Sequence, residues 1–149
     1  MAVETSIKFA TDPACFKSSP IRPSWILEGA PVARIELLSS SEDGTASTYF
    51  WDCTAGRFNW YYTFDETLYI LEGSVSLKDS SGASRLVRAG DTIFFPTGSM
   101  AEWTVEKYIR KLAFCRSPLP GYFAGARRIA RRLKGLVKGG ANNDESSLL

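Results

Sequence analysis

Residues 66–73 read ETLYILEG and residues 90–98 read GDTIFFPTG. Both are short runs of β-forming residues that stop at a glycine or a proline. A period of two in the first run places Glu66, Leu68 and Ile70 on one face, with Thr67 and Tyr69 on the other. Carried back through FNWYYTF (residues 58–64), the same alternation adds Trp60 and Tyr62 to the face of Glu66. Gly73 marks a bend or a strand end. In the second run Pro96 ends a strand, and Gly98 permits a turn that a side chain would obstruct. Between the two runs, DSSGASRLVRA (79–89) supplies a turn at Ser80–Gly82 and then a further short apolar stretch.

The pattern continues on both sides. ARIELLSS (33–40) alternates at Ala33, Ile35 and Leu37, and SEDG (41–44) is turn chemistry. ASTYFWDC (46–53) is rich in β-formers; AGR (55–57) reads as a break before FNWYYTF. TLYILEGSVSLKD (67–79) is one long strand or a pair bent at Gly73. AEWTVEKY (101–108) and YIRKLAFCRS (108–117) close the β region. Such runs predict an all-β barrel or sandwich of about eight to ten strands over residues 33–117. Residues 1–32, with Pro13, Pro20, Pro23 and Pro31, read as an extended N-terminal arm holding at most one short strand. After Pro118 and Pro120 the period becomes helical: Phe123, Ile129, Leu133 and Leu136 share a face opposite the arginines. One amphipathic helix is expected over 118–140, followed by a disordered tail, 141–149.

Composition narrows the chemistry. The 149 residues include no histidine, which removes the commonest metal ligand and the commonest neutral-pH general base. Nucleophile systems that depend on histidine are excluded. Cys15, Cys53 and Cys115 are odd in number and widely spaced, without a Cys-x-x-Cys, so reduced thiols in a cytoplasmic protein are expected. No apolar run approaches membrane-spanning length, and the N-terminus lacks the pattern of a secretion signal. The formal net charge is +2, but six basic residues lie in 122–138, and the remainder is mildly acidic. Nucleic acid is therefore not an expected partner. Contact of 122–138 with an anionic membrane is the disfavoured alternative to packing of that helix on protein.

The spacing of Glu66 to Gly73, and of Gly90 to Pro96 and Gly98, resembles the paired sequence motifs of the cupins. More closely, RFNWYYTFDETLYILEGSV with AGDTIFFPTGSMAEWTVEKYIRK resembles the cupin family that includes ureidoglycine aminohydrolase domains, over about residues 33–116. The resemblance implies a jelly-roll β-barrel, an interior on the Glu66 side of the strands, and pairing into a homodimer. It also implies a metal held by a His-x-His pair, a glutamate and a later histidine. Here those positions fall on Trp60, Tyr62, Glu66 and Ala101, so only the glutamate remains. One carboxylate and a phenol do not make a first-row metal site, and no metal or other cofactor is expected.

Three functional readings follow. The first is a binding module for a small polar metabolite or sugar-like ligand. Trp60, Tyr62 and Trp103 form its wall, with Glu66 as anchor and Lys111 as a second polar group. The second is a metal-free isomerase, epimerase or lyase, with Glu66 as general acid or base and Lys111 or Tyr62 stabilising negative charge. The third is a scaffold or membrane-associated protein acting through the basic helix. Each residue also has a plainer reading: Glu66 as a strand-end ion pair, the tryptophans as core. Lys111 shares the parity of Ile109, Ala113 and Cys115, which leaves it inside the barrel or on the surface.

Overall fold

Three long strands organise the fold. The computed structural model describes residues 6–10 and 12–117. Its strands are β1 (Lys17–Ser18), β2 (Ile26–Glu28), β3 (Ala33–Ser40), β4 (Ala46–Tyr61), β5 (Asp65–Asp79), β6 (Ser84–Arg88), β7 (Thr92–Phe95) and β8 (Met100–Arg116). All pairings are antiparallel, in the order β1-β3-β4-β8-β5-β6, with β2 on β4 and β7 on β5. Strand β8 pairs with β4 on one side and β5 on the other along nearly its whole length.

Each long strand bends once, and the bends line up. Register shifts fall between Thr54 and Gly56 in β4 and between Ile70 and Ser76 in β5. The bends divide the sheet into two halves. In one, 46–53, 109–116 and 65–73 run beside β3 and β7; in the other, 56–61, 100–105 and 76–79 run beside β2 and β6. The halves face one another. Trp51 of the first meets Phe58, Trp60 and Trp103 of the second at ring-centroid distances of 6.4, 5.8 and 6.0 Å. This is the all-β jelly-roll arrangement, in which inward residues of both halves make one core. Leu68, Ile70, Ile109, Cys53 and Phe58 are fully buried in it.

Several boundaries differ from expectation. AGR does not break β4, because a bulge absorbs the extra residue and the ladder resumes at Gly56. Likewise 100–116 is one strand, so six strands cover residues 33–116. The arm carries two short strands and two 3-10 turns, Pro13–Cys15 and Pro23–Trp25. Its Phe16 and Ile21 are buried. The helix expected over 118–140 and the tail 141–149 lie outside the described residues. Among the described residues no helix is long and apolar enough to cross a membrane.

Gly73 sits at the bend of β5 with φ +80°. A Cβ there would lie 2.0 Å from the backbone oxygen of Tyr108 on β8, so both conformation and space require glycine. Gly73→Ala should lower stability by about 3 kcal/mol or more, the upper end for a strained backbone position. Gly82→Ala, also at positive φ but in open space, should cost about 1 kcal/mol. Urea unfolding midpoints of the two variants check the difference.

The core also holds groups that resist ionisation. Burial pushes the thiols of Cys53 and Cys115 from 9.0 up to about 12; Asp52 and Glu66 respectively add to the effect and Lys111 opposes it. Tyr108 rises from 10.0 to about 12 through burial and its hydrogen bond to Asp52. Unfolding lets these groups ionise at lower pH, so their contribution to stability is complete below the unfolded values and is lost as pH rises toward the folded ones. Stability should therefore fall between pH 9 and 12. In a Cys53→Ala, Cys115→Ala variant the fall should begin nearer pH 10, where tyrosine takes over. Urea titrations across that range provide the measurement.

Candidate functional site

Glu66 is the second residue of β5 and Lys111 lies in the C-terminal half of β8. The ladder pairs Glu66 with Cys115 and Lys111 with Ile70, so the two are separated by four residues along β8. Both side chains point inward, and the length of the lysine spans the gap. Its Nζ donates to Glu66 Oε1 at 2.8 Å. Glu66 is 5% exposed and Lys111 4%, so this is an ion pair removed from water. The interior position decides the alternative left open for Lys111. The strand-end reading of Glu66 joins the buried one, since the carboxylate is both buried and paired.

Aromatic rings enclose the pair. Lys111 Nζ lies 4.8 Å from the ring centroid of Trp51, 4.9 Å from Trp103 and 5.9 Å from Trp60. These are cation–π distances, at which the negative ring faces replace part of the ammonium's lost hydration. Trp103 Nε1 donates to the hydroxyl of Tyr62 at 3.2 Å, and Tyr62 stacks on Phe95 with centroids 4.2 Å apart. Burial first, then the charge of Glu66, holds the Tyr62 phenol well above its ordinary ionisation range, against a smaller opposing effect from Trp103. Tyr62 therefore stays neutral. Trp51 Nε1 is buried without a hydrogen-bond partner, an uncommon state for a donor in a closed core.

The structure thus brings Trp60, Tyr62, Glu66, Trp103 and Lys111 together, with Trp60 half-buried and the others buried. Sequence reading missed Trp51 and Phe95. Their inward parity with Cys53 and Ile93 was available as a signal, but nothing local linked them to Glu66. It also missed Asp52, which is 1% exposed on the opposite face of β4. Asp52 accepts from Arg34 Nε at 3.0 Å, from Arg34 Nη2 and from the Tyr108 hydroxyl at 2.8 Å. Arg34 in turn lies over Phe16 of the arm. This cluster ties β3, β4 and β8 together on the outer face.

At the positions where the resemblance implies metal ligands, the chain presents an indole, a phenol, a methyl group and a carboxylate already held by Lys111. That donor set does not fit a first-row metal. Among the described residues, no three His, Cys, Asp or Glu side chains come together as a metal site. Cys53, buried with its thiol pushed up to about 12, has the opposite of a nucleophile's environment.

Comparison with known proteins places this geometry. The family model for a EutQ-like cupin domain matches residues 40–113. A putative ethanolamine utilization protein Q from Salmonella typhimurium is similar over 57% of this chain and 69% of its own, at 26% identity and a TM-score of 0.51. A DUF861-family protein of unknown function from Pseudomonas syringae pv. tomato is 28% identical over 69% of this chain, with a TM-score of 0.63; the chain covers 45% of that protein. The polyketide cyclase RemF from Streptomyces resistomycificus shares the fold, with a TM-score of 0.57 and 19% identity over 76% of this chain and 82% of its own. No curated protein matches the chain. The motifs at Glu66–Gly73 and Gly90–Gly98 therefore sit on the strands of a cupin domain, of the EutQ-like kind over residues 40–113.

Proposed function

We propose that this cupin domain binds a small polar ligand in the barrel, at Glu66 and Lys111, and does so without a catalytic metal. The buried pair carries the reading. Two charges in an aromatic core stabilise a fold poorly compared with apolar residues of similar volume, so their presence there fits a binding role. Trp51 Nε1, buried and unpartnered beside the ammonium, supplies a further donor for such a ligand. The indoles supply flat apolar area of the kind that sugars and planar metabolites use. The resemblance to ureidoglycine aminohydrolase-type cupins supplies the barrel frame in this reading and none of the metal-dependent chemistry. Pairing of two copies, which would cover strand edges, belongs to the same proposal; light scattering of the full chain reports it.

A second reading rests on the 2.8 Å contact itself. A carboxylate and an ammonium so placed can pass a proton to and from a bound substrate, with the neutral phenol of Tyr62 as a further donor. That would make the domain a metal-free isomerase, epimerase or lyase. Turnover that disappears in Glu66→Gln while ligand binding persists separates this reading from simple binding.

The pair allows a test that separates folding from function. Glu66→Leu alone strands the ammonium, and Lys111→Met alone strands the carboxylate; each should cost about 3–5 kcal/mol. The double variant leaves neither charge buried and should recover most of that loss. Native mass spectrometry of the wild type should find a co-purifying small molecule, and the folded double variant should lack it. A double variant that retains the same molecule in the same yield would mean that the pair is structural.

A further inference from the structure

Core residues of the barrel reach the surface between β6 and β7. Strands β6 and β7 both pair with β5, but over different stretches, Ser74–Lys78 and Glu66–Tyr69. Their free edges therefore diverge, and between them lies a groove of about 610 Å³. That volume is within the range of small-molecule sites. Its floor comes from both halves of the sheet: Leu77 and Val87 from one, Ile93 and Phe95 from the other, with Ala101 from the start of β8. Leu77, Val87, Phe95 and Ala101 are buried residues of the common core. Neither Glu66 nor Lys111 lines the groove.

The charges on its rim differ in what they are free to do. Asp79 Oδ1 accepts from the backbone of Ser81 and Ala83 and from the Ser81 hydroxyl, at 2.6–3.2 Å. Asp91 Oδ2 accepts from the backbone of Arg88 at 2.9 Å. Both carboxylates are thus committed to the turns that hold them. Arg85 is cross-strand partner to Leu77 and so stands on the inward face of an edge strand. No carboxylate among the described residues pairs with its guanidinium. A free planar fork of donors above an apolar floor is complementary to a carboxylate on an apolar body.

We propose that the groove between β6 and β7 is a binding site for small organic carboxylates, with Arg85 holding the acid group and Ile93, Val87 and Phe95 the apolar body. This site is additional to the one at Glu66 and Lys111 and does not depend on it. A neutral or cationic ligand of the same shape would bind less well, since it forfeits the charge-assisted hydrogen bonds. An arginine facing inward on an edge strand also has a purely structural reading, as a guard against edge-to-edge association, and the test distinguishes the two.

The probes are 4-phenylbutyrate, 4-phenylbutanol and 4-phenylbutylamine, titrated at millimolar concentration into methyl-labelled full-length protein and followed by NMR. The acid should shift the methyl groups of Leu77, Val87, Ile93 and Ala101, and bind at least about tenfold tighter than the amine. Arg85→Gln should weaken the acid about tenfold and leave the alcohol unchanged. The Glu66→Leu, Lys111→Met variant should keep the shifts produced by the acid, so failure of the barrel reading does not touch this one. The proposal is overturned if the wild type shows no shifts at these methyls, or if the acid, alcohol and amine bind alike. It is equally overturned if Arg85→Gln promotes association of the protein without weakening the acid.

Discussion

Lys111 runs along the inner face of one half-sheet to reach Glu66, and the rings that receive its charge come from both halves. Trp51 stands on the same half, and Trp60 and Trp103 on the opposing one. Removing these two charges from water costs several kcal/mol per ion. The hydrogen bond to Glu66 and the face of Trp51 offset part of that cost within one half-sheet, and Trp60 and Trp103 do so only while the two half-sheets hold their distance. The pair is consequently a constraint on the whole barrel: a slip between the halves would take from the ammonium two of its three indole faces. It also fixes Trp103, whose indole N–H bonds Tyr62, which stacks on Phe95. From one ion pair, an ordered series of contacts reaches the edge of the sheet.

The inward face of β5 was legible in ETLYILEG because alternation alone separates Glu66, Leu68 and Ile70 from Thr67 and Tyr69. Lys111 was not legible in the same way. Its parity matched buried neighbours, but a lysine there is tolerable only opposite a carboxylate, and Glu66 is brought near by pairing between strands more than forty residues apart. AGR misled for a related reason. Alanine, glycine and arginine are as suitable for a bulge as for a turn, and the ladder to β8 decides between them. Asp52 carried no local signal either. It alternates with Trp51 and Cys53, so it faces outward, where a strand is normally wet. Burial of that face depends on the arm and on Arg34 and Tyr108.

The seam between β6 and β7 follows from the same bend that builds the barrel. Gly73 turns β5 so that its first part belongs to one half-sheet and its last part to the other. A partner strand laid on each part must then leave β5 in a different direction, and the two partners cannot pair with one another. A sheet folded in this way opens at the edge strands, and the side chains exposed there are inward-facing ones. Phe95 shows the consequence. One side of it lines the groove, and its ring stacks on Tyr62 and lies 6.3 Å from Trp103. Phe95 therefore borders the groove and also belongs to the aromatic series that encloses Lys111. The groove and the ion pair are distinct in their lining residues, yet they share the aromatic contacts between them.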